Sequence, residues 1–230
     1  MMNQVEQYFF NGQFRACYAE ILTQPETAHS EKYKQLLEDY DIHLLPTYTK
    51  GHHTVERADE TYPQMDEYAR LKELHDEQQF QQQIAALEKA ASEGTAEEKA
   101  ASFFTQGMLF LNAHHYNESA HCFMQAVKHE PSNAVYWGIA GQTMSRFGWT
   151  PFESLAYIES AIALDAHNAR WHWNHSLVLL QLYKDLQQEA FLENALIALD
   201  TAQQVCREDQ TSLRSALLNT VETTREYIFA

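Results

Sequence analysis

Landmark residues recur along the second half of the chain at a spacing of 34 to 35, and nothing else in the sequence restricts the fold so tightly. Phe103 and Trp137, Gly107 and Gly141, and Phe110 and Met144 are each separated by 34 residues. Ala126 with Ala161 and Pro131 with Ala166 continue the pattern at 35, the extra residue falling in the Phe147–Thr150 turn. A third copy begins near Ala169, with Ser176 where the earlier copies have glycine. A period of this length marks one supersecondary unit that cannot bury its apolar face alone and must stack on neighbours. Within a unit, a small residue on the first helix lets the second approach, rings fill the space around it, and proline stops the second helix. Only 7 Gly and 5 Pro serve 230 residues, too few for the tight turns of a sandwich or doubly wound sheet. The expectation is an all-α chain.

Local signals place the helices. Thr95-Ala96-Glu97-Glu98 reads as a capping box just after the stop signal Gly94, and Thr150-Pro151-Phe152-Glu153 as a second, with proline at the first helical position. Asn133 and Asn168 are caps for the two following first helices. The predicted helices are 96–113, 117–129, 133–147, 151–164, 168–184, 187–206 and 210–228.

The order Phe103, Gly107, Phe110, Phe123, Ala126, Pro131 resembles the tetratricopeptide repeat, a helix–turn–helix unit of 34 residues. The resemblance implies a helical-hairpin solenoid of about three repeats and a closing helix over 95–230. Its concave surface, lined by the first helices, would receive a peptide segment of another protein. Carried over position by position, the groove residues are Phe104, Met108 and Leu111 from the first copy. The second gives Gly138, Gln142, Ser145 and Arg146, and the third Arg170, Trp173, Leu177 and Gln181. Trp173 and Arg170 are the leading anchors, because Trp and Arg dominate interface energetics. Phe104, Met108 and Trp173 also have a plain reading as core, since groove and core positions adjoin on a helix; Trp137 reads as structural. Residues 100–228, with Arg170-Trp171-His172-Trp173, further resemble translocator-class chaperones of type III secretion systems, which hold a secreted client soluble in the cytoplasm before export.

The first 94 residues are less regular. Gln4–Phe10, the Asn11-Gly12 turn and Phe14–Leu22 suggest a degenerate helical hairpin, followed by a helix near 31–45. Residues 46–62 form the best linker, and Pro63 opens a long polar helix over 63–94. Its apolar stripe of Met65, Tyr68, Leu71, Leu74, Phe80, Ile84, Leu87 and Ala91 supports a second reading, a scaffold or homodimer built on that helix.

The formal charge of −16 disfavours nucleic acid and anionic membranes as partners. The opening MMNQVEQYFFNGQF lacks a basic region and apolar run of the signal-peptide type, and no stretch has the roughly 20 apolar residues of a membrane span. Cys17, Cys122 and Cys206 form no CxxC or disulfide framework, so the expected compartment is the cytoplasm. Chemistry is sparse. His172 and His175 share a helix, while His52-His53 and His114-His115 with His121 sit near turns; no HExxH or four-ligand set completes a metal site. Phosphate-binding loops, dinucleotide fingerprints and nucleophile elbows are missing from the sequence. The sequence therefore predicts no cofactor, no metal and no catalytic residue; an enzyme built from scattered residues is the remote alternative.

Overall fold

A computed structural model describes residues 3–23, 28–46, 77–147 and 149–228. Eleven α-helices account for nearly all of them, with no strand among the described residues. They are α1 (Gln4–Phe10), α2 (Phe14–Thr23), α3 (Ala28–Asp39), α4 (Glu77–Glu93), α5 (Ala96–Asn112), α6 (Tyr116–His129), α7 (Ala134–Arg146), α8 (Pro151–Leu164), α9 (Ala169–Leu186), α10 (Glu189–Val205) and α11 (Thr211–Ile228). A short 3₁₀ turn, Ile42–Leu44, follows α3. The architecture is all-α, built of neighbouring helices packed as hairpins, as in a helical solenoid.

The caps explain why boundaries fall where the sequence put them. Thr95 and Glu98 satisfy each other's backbone N–H groups at the start of α5, and Thr150 and Glu153 do so at the start of α8. Asn133 and Asn168 accept the backbone N–H two residues on, at 3.0 and 3.1 Å. A third capping box, Asn3 with Glu6, opens α1; its Asn-x-x-Glu signature is legible in the sequence but was not among the predicted caps. Thr150→Ala should cost about 1 kcal/mol, since the Glu153 N–H loses its acceptor and the Glu153 carboxylate loses the hydroxyl that holds it; a urea midpoint unchanged from the parent protein would refute this.

The contacts form two compact units, residues 46–148 and residues 1–45 with 149–230. The sequence drew its boundaries elsewhere, with 1–45 apart from 95–230. The difference has a physical cause: α1 and α2 carry Val5, Phe9, Phe14, Cys17 and Ile21 on one apolar side, and these residues share a core with Phe152, Leu155, Ile158, Leu179 and Phe191. The linker, apart from Pro46, and the predicted helical stretch 63–76 lie outside the described residues.

In the 46–148 unit, α4 packs on α5 through Ile84 and Leu109, with Phe80 in edge contact with Phe110 at 5.8 Å. The described part of the apolar stripe is thus occupied within the chain. Helices α5 and α6 make the first repeat hairpin. A Cβ at Gly107 would lie 2.5 Å from the Phe123 ring, so the helices meet more closely than any other residue allows. Ser119 Oγ donates to the Gly107 carbonyl at 2.8 Å across the same contact.

The other unit has two further hairpins. Helices α9 and α10 pair, and α11 closes over them through Ala169, Leu199, Ala202, Leu213 and Leu217. Helix α8 packs on α9 and on α2.

The repeat is visible in backbone detail where a second helix passes to the next first helix. Glu130 and Asp165, 35 residues apart, end α6 and α8 with φ, ψ of −137°, 74° and −135°, 79°. Trp137 Nε1 donates to the Pro131 carbonyl at 2.8 Å, and His172 Nε2 meets the Ala166 carbonyl at 2.8 Å. His172 therefore holds the same turn by the same kind of ring N–H bond as Trp137.

Candidate functional site

Helix α9 carries four of the eleven residues expected to line the groove. At about 100° of rotation per residue, Arg170, Trp173, Leu177, Gln181 and also Lys184 fall within an arc of about 80°. Leu177 is 36 % exposed, Gln181 and Lys184 are exposed, and Arg170 is partly buried. Gln181 Nε2 donates to Asp185 at 2.8 Å, which fixes its amide along the helix. The opposite arc, including Trp171, Val178, Leu179 and Leu182, is buried.

Trp173 stands at the border of the two arcs. Its ring packs on the cluster beneath α11, and Nε1 donates to Thr220 Oγ1 of α11 at 3.0 Å. One edge is a wall of the α9 stripe while the polar end is already satisfied. Trp173→Ala would thus disturb packing as well as any ligand contact, and Leu177 is the cleaner residue to vary.

In the other unit the expected residues separate. Phe104 and Met108 are 1 % and 2 % exposed. Phe104 lies 4.8 Å from the Tyr136 ring and 5.3 Å from that of Phe123, joining α5 to both α6 and α7. Both side chains are core, and for Phe104 the covering residue is Tyr136 of α7. Leu111 and Gln142 are partly buried, whereas Ser145 and Arg146 at the end of α7 are exposed; Gly138 is buried. Trp137 is fully buried.

Cys17 and Cys122 are not activated. Burial pushes Cys17 up to about 12, helped by the nearby Glu159 charge, and Cys122 up to about 11; Cys17 Sγ also donates to the Val5 carbonyl at 3.5 Å. A thiol in such surroundings is a packing residue. Among the described residues no three of His, Cys, Asp and Glu gather in a metal-holding group, and His172 is engaged by the Ala166 carbonyl.

Sequence reading missed a polar cluster beneath the N-terminal hairpin. Arg15 of α2 reaches α8, its guanidinium donating to Ser160 Oγ at 3.0 Å and its backbone N–H to Glu159 Oε2 at 3.4 Å. His175 of α9 is buried beside Gly12. The only sequence signal was the Asn11-Gly12 turn, which foretells a reversal of the chain but not what lies beneath it. No helix among the described residues is long and apolar enough to cross a membrane.

No protein-family model matches the chain, and a search of the curated proteins finds no match.

Proposed function

We propose that this chain is a non-catalytic adaptor of tetratricopeptide-like hairpins that binds a peptide segment of a partner protein along the outer stripe of α9. The observation that carries the reading is that stripe: an exposed apolar residue, Leu177, with cationic Arg170 before it and Gln181 and cationic Lys184 after it along the helix, and the Trp173 ring at its edge. Apolar contact with a few orienting polar groups is what an extended or helical peptide needs. The repeated turn at Glu130 and Asp165 supports the family likeness on which the groove assignment rests. A cytoplasmic chaperone that keeps the apolar segment of a secreted translocator soluble is the particular case to which residues 100–228 point. In that role the charge of −16 would help the complex resist aggregation.

Site-specific photocrosslinking in the native source tests it. A benzoyl-phenylalanine at Gln181 should capture a partner that the same group at Ile197, exposed on α10, does not. Synthetic peptides tiling that partner should include one whose affinity falls at least about tenfold with Leu177→Asp, the loss of an anchoring apolar contact. Equal capture at both sites, or affinity indifferent to Leu177→Asp with helix content unchanged, would reject α9 as the binding surface.

A further inference from the structure

Docking of α1 and α2 on α8, α9 and α10 places two ionisable groups beneath one short hairpin. On α9, His175 is buried and its Nε2 has no hydrogen-bond partner. The Asn11-Gly12 turn lies directly against it, for a Cβ on Gly12, whose φ is +73°, would stand 2.8 Å from that nitrogen. On α8, Glu159 faces α2 and accepts the Arg15 backbone N–H. Asn194 of α10 ties down the end of α1, donating to the Phe10 carbonyl at 2.8 Å.

We propose that the α1–α2 hairpin is a clasp that closes over Glu159 and His175 in their uncharged forms, so that each group offsets the other's tendency to release it as pH changes. An imidazolium at position 175 would place a charge in a buried site where Nε2 has no hydrogen-bond partner and lies against Gly12, the Asn11 backbone alone favouring it. A carboxylate at position 159, half-buried against α2, gives up part of its hydration for one long backbone contact and the Arg15 charge. Burial accordingly raises Glu159 from 4.5 to about 7, the Arg15 backbone bond and charge opposing. Burial also lowers His175 from 6.5 to about 4; His172 acts in the same sense and a bond with the Asn11 backbone opposes.

The other ionisable groups around the pair are Arg15 and Cys17 on α2, Tyr157 and Glu153 on α8, and His172 on α9. Beyond Cys17 lie Tyr33 of α3 and Glu6 of α1. Cys17, Tyr33 and Tyr157 are all raised and keep their protons below pH 8.

The two groups act with opposite signs. Glu159 has a raised pKa when docked, so its contribution is complete below 4.5 and is lost as pH rises through 7. His175 has a lowered pKa when docked, so its contribution is complete above 6.5 and is lost as pH falls through 4. Between 4.5 and 6.5, opening the clasp turns a neutral pair into a carboxylate and an imidazolium. The number of bound protons is then unchanged, so the equilibrium is nearly independent of pH.

Hydrogen exchange in the full chain reads the opening equilibrium directly. Protection of α2 amides, corrected for intrinsic rates and referred to amides of α5 and α6, should change by about threefold or less between pH 5 and 8 in the parent protein. In Glu159→Gln the histidine acts alone, and protection should fall more than about tenfold from pH 8 to pH 5. In His175→Gln the carboxyl acts alone, and protection should fall more than about tenfold from pH 5 to pH 8. A flat profile in Glu159→Gln, or a change beyond tenfold in the parent protein, overturns the proposal. The parent and Glu159→Gln profiles decide the matter even if His175→Gln does not fold.

Discussion

Phe14→Ala should remove about 3–5 kcal/mol from the stability of the unit formed by residues 1–45 and 149–230, the range for truncating a fully buried ring. Phe14 is wholly inaccessible, and its ring lies 5.4 Å from that of Phe9 and 5.5 Å from that of Phe152. Those rings continue to Tyr33 at 4.5 Å and Phe191 at 6.1 Å from Phe9, and to Tyr40, stacked on Phe152 at 5.3 Å. One aromatic cluster therefore joins α1, α2, α3, α8 and α10. The cavity left by alanine lies where these elements meet, and rigid rings on several helices cannot all collapse into it. Urea unfolding, followed by exchange of amides in α8 to α10, measures the loss. Phe14→Leu, which keeps most of the volume, should cost far less; equal costs for the two variants would show that Phe14 is not a packing centre.

The same contacts decide which chain belongs in a binding assay. Removing residues 1–45 would lay open the apolar sides of Phe152, Leu155, Leu179 and Phe191, all part of one core with α1 and α2. A truncated chain that failed to bind would report the loss of this core rather than the whereabouts of a ligand site. The α9 stripe is thus best tested by single substitutions in the full chain.

Helix limits were legible in the sequence because caps are local. Each of Thr95, Asn133, Thr150 and Asn168 is read from the two or three residues that follow it, and each caps the helix it was expected to cap. The partner of α1 and α2 was not legible. The spacing of Val5, Phe9, Phe14, Cys17 and Ile21 says that a side is buried, whereas the surface that buries it lies some 140 residues away.

The candidate site was legible only to the helix face. Leu177 is open, yet Met108, at the corresponding repeat position of α5, is core, as is Phe104 one turn earlier. The distinction depends on whether a neighbouring helix covers the stripe, and no residue on α5 records that Tyr136 will do so. For Trp173 the missing information was the hydroxyl of Thr220, 47 residues on. His172 shows the converse. Its ring N–H meets the same need as that of Trp137, so an apparent departure from the repeat keeps the repeat's bond.

Gly107→Ala should destabilise the α5–α6 hairpin by about 2 kcal/mol or more, although alanine is the better helix former by about 1 kcal/mol. The new methyl would lie 2.5 and 2.6 Å from two carbons of the Phe123 ring, well inside contact distance. Phe123 has no room to retreat: it is fully buried and its ring lies 5.3 Å from Phe104. The helices must instead move apart, stretching the bond from Ser119 Oγ to the Gly107 carbonyl. Relief should come from the facing ring, so Phe123→Leu ought to recover at least about 1 kcal/mol in the Gly107→Ala background, a coupling that a double-mutant cycle measures. The other repeat hairpin anticipates the result. Ser176, in the place of Gly107, is fully buried in α9, and sixteen residues on stands Leu192 where α6 has Phe123. A larger residue on the first helix accompanies a smaller one on the second, as volume balance between two close-packed helices requires. Strict additivity of Gly107→Ala and Phe123→Leu would break that link between the repeat's landmarks and the packing they are held to secure.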